Sequence, residues 1–75
     1  MTRKDFIEAV ESLRTDYNKN PEIWENKTIN DFLEAIARYT DDIQGYYDNT
    51  GQNVDANKPD WKIFIDILKG ASIYE

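Results

Sequence analysis

TINDFLEAIARYTDDIQGYY, residues 28–47, is the longest stretch of the chain with a periodic apolar pattern. Thr28 is placed to cap a helix here, and Asp31 could return a bond to its backbone N–H, as in a capping box. The Thr40-Asp41-Asp42 run could begin a new turn, so a kink near Thr40 stays open. We predict a helix over about 29–47, because its apolar residues follow the i, i+3, i+4, i+7 spacing of one buried face: Ile29, Phe32, Leu33, Ile36, Ile43 and Tyr47.

Two further amphipathic segments flank this one. Thr2 and Asp5 form another capping pattern, which predicts a helix over about 3–18 that ends before Asn20-Pro21. Pro21 favours a short helical turn near 21–24. The turn-forming stretch 48–59 predicts one long loop, with Gly51 a candidate for left-handed backbone. Asp60 then caps a last helix over about 61–74.

The fold class follows from these elements. No alternating strand pattern is sustained, so the chain is predicted to be all-α, a small three-helix bundle forming a single domain over 1–75. The aromatic content of 13% supplies large side chains for a core in so short a chain. The predicted buried set consists of Phe6, Val10, Leu13, Trp24, Ile29, Phe32, Leu33, Ile36, Ile43, Trp61, Phe64, Ile65 and Leu68.

Composition limits the partners. The formal net charge is -6, which argues against nucleic acid or an anionic membrane, because phosphate binding needs clustered Lys and Arg. An acidic chain is steered instead towards basic proteins. No apolar run is long enough for a membrane span, and the N-terminus lacks a signal-peptide core, so the expected location is the cytoplasm. A monomer is the default oligomeric state.

Catalytic and metal chemistry find little support. The chain has no histidine and no cysteine, which excludes the common nucleophile–base pairs and thiolate metal sites. Asp41 and Asp42 are adjacent, so their side chains diverge on a helix and cannot act on one atom. In an EF-hand alignment on Gly51, Tyr46 and Asn57 would occupy ligand positions that need carboxylates. We therefore expect no enzyme activity, no catalytic residues, no cofactor and no metal.

The remaining candidate site is a surface. Tyr39, Asp42 and Tyr46 are spaced i, i+3, i+7 along one side of the central helix, and we call these residues the tyrosine flank. Tyrosine is enriched among interface anchors, so the tyrosine flank is a candidate partner surface. The alternative is that it docks onto a neighbouring helix inside the fold. Trp24 and Trp61 are assigned to the core.

The segment from Trp24 onward, about two thirds of the chain, resembles a family of small, mostly bacterial domains of unknown function. The family pattern is W-E-N-x-T-L-x-D-F-L-E-A, then D-x-x-G-Y-Y, then W-x-x-F-A-D-I-L-x-A-x-x-Y-E. Ile29 and Ile65 replace the Leu and Ala of that pattern. The resemblance implies a compact helical domain and brings no activity and no cofactor. The matching residues are Trp24, Glu25, Asn26, Thr28, Asp31, Phe32, Leu33, Glu34, Ala35, Asp42, Gly45, Tyr46, Tyr47, Trp61, Phe64, Asp66, Ile67, Leu68, Ala71, Tyr74 and Glu75.

Three functions are compatible with these observations. The leading interpretation is a non-enzymatic protein-interaction or accessory domain. The second is an acidic immunity-type or inhibitor protein that covers a basic surface on another protein. The third is an enzyme, against which the absence of His and Cys counts.

Overall fold

The computed structural model describes residues 1–75 and contains three α-helices and one short 3₁₀ turn. In chain order these are α1 (Arg3–Lys19), the 3₁₀ turn (Pro21–Ile23), α2 (Ile29–Asn49) and α3 (Trp61–Ile73). The three-helix bundle predicted from the sequence is confirmed, and the helix ends lie within two residues of those predicted. None of the three helices has an apolar stretch long enough to cross a membrane.

The helix starts follow the capping residues. Thr2 and Asp5 form a complete capping box, in which the Thr2 N–H donates to Asp5 Oδ2 at 2.7 Å. Thr28 Oγ1 accepts from the Asp31 N–H at 3.0 Å, which is one half of the capping box expected there. Asp60 Oδ1 accepts from the backbone N–H of Lys62 at 2.7 Å and of Ile63 at 3.3 Å. Each cap satisfies helix N–H groups that have no partner within the helix.

α2 runs without interruption through the position where a kink was an alternative. The Thr40 hydroxyl donates to the Ile36 carbonyl at 2.6 Å, one turn back. A hydroxyl bonded to the carbonyl four residues back does not cap a new turn, although bonds of this kind often bend a helix slightly. α2 is therefore one helix from Ile29 to Asn49.

α3 is the central helix of the bundle, with α1 on one side and α2 on the other. It packs against both, whereas direct contact between α1 and α2 is slight. On the α2 side, Ile63 forms a buried cluster with Ile43 and Tyr47. On the α1 side, the rings of Phe6 and Trp61 lie 5.4 Å apart. A helix packed on two sides needs apolar residues on both, and α3 has them.

This arrangement corrects part of the predicted core. Val10, Ile29, Leu33 and Phe64 are exposed, because they lie on sides of their helices that no other element covers. Trp24, Ile43 and Ile65 are buried as predicted, and the six other predicted core residues are half-buried. The predicted buried set omitted Tyr47, although the periodicity placed it on the buried face of α2. It also omitted four other buried residues: Ala35, Ile63, Ala71 and Ser72.

The segment between α1 and α2 closes the C-terminal end of α3. The Asn26 side-chain amide donates to the carbonyls of Ala71 at 2.8 Å and Tyr74 at 2.7 Å. The Asn26 backbone N–H donates to the Ser72 carbonyl at 3.3 Å. The end of α3 thus gains partners for carbonyls that a helix leaves free. The same segment is also bonded to α1, because the Trp24 indole N–H donates to Asp16 Oδ2 at 2.7 Å.

The long loop is held against α2 by one side chain. Gln44 donates from Nε2 to the Val54 carbonyl at 2.9 Å and accepts the Ala56 N–H at 2.8 Å. Val54 and Ala56 thereby pack on the core. Gly51 has φ of 70°, which confirms the left-handed position predicted for it.

Candidate functional site

The tyrosine flank divides into a packed part and an exposed part. Tyr39 is half-buried, lies against Gly70 of α3 and meets the Tyr74 ring edge-on at 5.1 Å. Asp42 accepts a hydrogen bond from the Tyr74 hydroxyl. Tyr46 is 45% exposed. The three residues lie along one side of α2, and Tyr46 is the member free to meet a partner.

A cleft of about 260 Å³ runs between α2 and α3 beside the tyrosine flank. Tyr39 and Tyr46 line it from α2, and Lys69 and Ile73 line it from α3. Ile73 is 62% exposed. We call this the α2–α3 cleft.

Burial and acidic neighbours shift the titration of the tyrosines packed here. Burial is the main cause that raises the pKa of Tyr39, and electrostatic interactions with Tyr46 and Asp66 add to it. The hydrogen bond to Asp42 is the main cause that raises the pKa of Tyr74. All three causes favour the un-ionised phenol, which is a hydrogen-bond donor and not a nucleophile at neutral pH.

A polar cleft of about 410 Å³ lies on the side of α2 adjacent to the tyrosine flank. Four carboxyl-bearing residues line it together with a single base, Arg38. The Arg38 guanidinium lies 3.7 Å from Glu34, donates to the Glu75 carbonyl at 2.7 Å and sits 5.5 Å from the Tyr74 ring centre. Because acids outnumber this base, the cleft carries negative charge, and we call it the acidic cleft. Its acids are Glu25, Asp31, Glu34 and Glu75.

The side of α2 opposite the acidic cleft is apolar and open. Ile29 is 77% exposed and Leu33 is 58% exposed. They stand one turn apart on the same face of the helix, and we call them the aliphatic ridge. A groove of about 170 Å³ adjoins Ile29, lined also by Tyr17, Trp24 and Phe32. Its aromatic rings pack together, with Trp24 edge-on to Tyr17 at 5.1 Å and tilted against Phe32 at 5.8 Å.

A family model spans almost this whole fold, from residue 2 to residue 75, and it describes a family of unknown function, DUF7660. The chain belongs to the DUF7660 family. No curated protein matches the chain, and no solved structure matches it. Membership confirms that the sequence resembles a family of domains of unknown function, and it assigns no activity to this DUF7660 domain.

The loop of this DUF7660 domain uses its polar side chains for its own turns. In the loop, Asp55 Oδ1 accepts from the Asn57 N–H at 2.9 Å, and in the last turn of α2 Asp48 Oδ1 accepts from Gln44 Nε2 at 3.0 Å. No group of three His, Cys, Asp or Glu side chains is arranged to hold a metal ion.

Sequence reasoning missed the open apolar surface of the DUF7660 domain. Ile29 and Leu33 have the helical spacing of core residues, and they were assigned to the core on that basis. Spacing identifies which residues share a face, but it does not identify whether another helix covers that face. The acidic cleft was missed too, because Glu75 is brought to α2 from the other end of the chain and Glu25 lies outside the helical pattern.

Proposed function

We propose that this domain is a non-enzymatic protein-interaction module and that the aliphatic ridge of α2 is its contact surface. The observation that carries the proposal is the exposure of Ile29 and Leu33, at 77% and 58%, beside an aromatic groove. The absence of histidine and cysteine from the sequence supports a role in binding over one in catalysis.

The energetic argument concerns two neighbouring side chains. Burying one Ile or Leu side chain is worth roughly 1.5–3 kcal/mol relative to leaving it in water. Single exposed apolar residues are normal on protein surfaces. Ile29 and Leu33 are different because they lie one turn apart and adjoin the groove of Tyr17, Trp24 and Phe32. Contiguous apolar surface of this kind is typical of a protein-binding site.

The expected partner is basic. The net charge of -6 steers the domain towards positive surfaces. Glu34 follows Leu33 directly and also lines the acidic cleft, so it connects the aliphatic ridge to the acidic side of α2. An inhibitor of the immunity type would be the case in which the basic partner is an enzyme and loses activity when bound.

A second candidate surface is the tyrosine flank together with the α2–α3 cleft. Tyr46 and Ile73 are the exposed residues there, at 45% and 62%. Tyrosine anchors at interface centres and an aliphatic neighbour fit this surface. The two candidate surfaces lie on opposite flanks of α2, so separate substitutions can distinguish them.

The test compares capture by four forms of the domain: the parent, Ile29→Ser with Leu33→Ser, Tyr46→Ala, and Ile73→Ser. Each is coupled to a resin and exposed to an extract of the organism that encodes it, and retained proteins are identified by mass spectrometry. We expect a basic protein retained by the parent and by Tyr46→Ala and Ile73→Ser, and lost with the serine pair. Loss with Tyr46→Ala or Ile73→Ser would assign the contact to the tyrosine flank. Identical retention by all four forms would contradict the proposal.

A further inference from the structure

The side of the bundle between α1 and α2 is open except where the segment after α1 places Trp24 between Tyr17 and Phe32. Both helices pack on α3 but scarcely touch each other. On α1, Val10 and Tyr17 are two turns apart and share a face; on α2, Ile29 and Leu33 share a face. Tyr17 and Ile29 line the same groove, so these two faces converge on it.

Two global measures agree that the fold is open. The accessible surface is 5402 Å², whereas a compact monomer of 8.8 kDa would expose about 4,800 Å². The Cα radius of gyration is 12.5 Å, against about 11.3 Å for a compact domain of this length. The chain as a whole therefore exposes roughly 600 Å² more surface than a compact monomer of its mass.

Charge determines what can cover this side. A second copy would bring another net charge of -6 against the first. On α1, Arg14 lies 3.5 Å from Glu11 and is neutralised by it. On α2, Asp41 is exposed on the outer face, whereas Glu34 lies 3.7 Å from Arg38 and lines the acidic cleft. The rim along α2 therefore favours Lys and Arg on the covering element.

The spacing determines the shape of the covering element. Ile29, Leu33 and the half-buried Ile36 form an i, i+4, i+7 ridge, the periodicity that an apolar helix face matches when it lies in a groove. Lys27 is the only charged residue lining the groove where the two helices converge. The basic residues of the partner would thus lie along the outer rim of α2, away from Lys27.

We propose that the open side between α1 and α2 receives an amphipathic, basic helix of a partner protein, which completes the domain as a fourth helix. This inference rests on the proposed function and names the class of partner. The partner helix buries its apolar face against Ile29, Leu33 and the groove of Tyr17. Its basic residues face the outer side of α2, where Asp41 is exposed.

The test uses synthetic peptides as probes. The first is a helical peptide of about five turns, roughly 18 residues, with Leu at i, i+3, i+4, i+7 positions and Lys and Gln elsewhere. The second has the same composition with the Leu residues shuffled out of one stripe, and the third carries Glu in place of each Lys. Binding to the isotopically labelled domain is followed by backbone amide shifts, which also locate the contact.

We expect the first peptide to shift the amides of Tyr17, Ile29 and Leu33, and the other two to bind at least about tenfold more weakly. Leu33→Ser and Ile29→Ser should each weaken the first peptide by about tenfold. Ile73→Ser removes a similarly exposed aliphatic side chain from the other flank and should leave its affinity within about twofold. Melting curves confirm that each variant is folded.

Equal binding of the basic and acidic peptides, binding insensitive to both serine variants, or no binding at millimolar peptide would overturn the helix proposal. A dimer in sedimentation that depends on Leu33 would overturn it too, because the second copy would then cover this side. Capture of a partner through Ile29 and Leu33 combined with failure of every helical peptide would leave the proposed function standing and reject the helix. Capture that ignores both residues would reject the proposed function itself.

Discussion

The Tyr39 ring lies against the Cα of Gly70, so close that a methyl group on residue 70 would overlap the ring at Cε2 and Cζ. Glycine is unfavourable inside a helix by roughly 1 kcal/mol relative to alanine. Gly70 is nevertheless within α3, because the absence of a side chain there makes room for a ring from α2. The two helices approach closely at this point.

Gly70→Ala should therefore destabilise the domain although alanine favours helix. Overpacking of this kind costs about 1–3 kcal/mol, and urea unfolding measures it. Gly45→Ala is the matched control, since nothing lies within 4 Å of a Cβ added there. It should raise stability by roughly 0.5–1 kcal/mol. Equal effects of the two substitutions would show that Tyr39 does not occupy the space beside Gly70.

Tyr39 and Tyr46 should respond differently to truncation. Tyr39→Ala removes a ring packed on Gly70 and Tyr74 and should cost about 2 kcal/mol or more of stability. Tyr46→Ala removes an exposed ring and should change stability by no more than about 0.5 kcal/mol. Thermal melts of both variants measure this. A loss above about 2 kcal/mol for both would make the tyrosine flank wholly structural and remove it as a candidate surface.

The elements of this fold were predictable because their signals are local. Thr2, Thr28 and Asp60 each lie directly before a helix that they cap, and caps act within one turn. The apolar periodicity of α2 depends on the same short range. The fold class followed from these signals alone.

Which faces are covered was less predictable, because it depends on how helices assemble. The predicted buried set takes its residues on α3 from one side of the helix, and the bundle also buries a second side. The predicted residues are Trp61, Phe64, Ile65 and Leu68. Ile63, Ile67 and Gly70 are also spaced i, i+4, i+7, and Ile63 and Ile67 pack on the α2 side. A helix that is apolar on two sides is expected to be central, and this signal could have placed α3 between its neighbours.

Asn26 illustrates a long-range constraint that no local pattern reveals. Its side-chain amide donates to two carbonyls at the end of α3, those of Ala71 and Tyr74. Asn26→Asp has nearly the same shape but presents oxygen where a donor is needed. We expect a loss of about 1–3 kcal/mol, the cost of leaving such groups without a partner.

Asn30→Asp is the control for that substitution. Asn30 is exposed in the first turn of α2, where a negative charge interacts favourably with the helix dipole and should change stability by only a few tenths of a kcal/mol, up to about 1. Both variants are compared in urea at neutral pH. Equal stability of the Asn26→Asp variant and the parent would mean that the end of α3 does not depend on this amide.

The last prediction concerns alkaline pH. The buried Tyr47 hydroxyl donates to Asp66 Oδ2 at 2.7 Å, and that oxygen also accepts from Lys62 Nζ at 2.6 Å. Burial, followed by the hydrogen bond to Asp66, raises the pKa of Tyr47 well above its ordinary value of 10.0. Below about pH 10 the phenol is protonated in both states, and the full stability is present.

Above that pH the unfolded chain releases the proton while the folded chain keeps it, so stability falls as pH rises. The slope due to Tyr47 should be about 1.4 kcal/mol per pH unit, continuing until the pH reaches the folded pKa. Urea unfolding between about pH 8 and pH 11 measures the slope for the parent and for Tyr47→Phe. Phenylalanine keeps the ring and has no proton to lose. This variant should be less stable than the parent at about pH 8, but its free energy of unfolding should fall less steeply with pH, by the contribution of about one proton. Tyr39 and Tyr74 also have raised pKa values and contribute to both slopes, so a parental slope in Tyr47→Phe would assign the alkaline transition to them and contradict the role given to Tyr47.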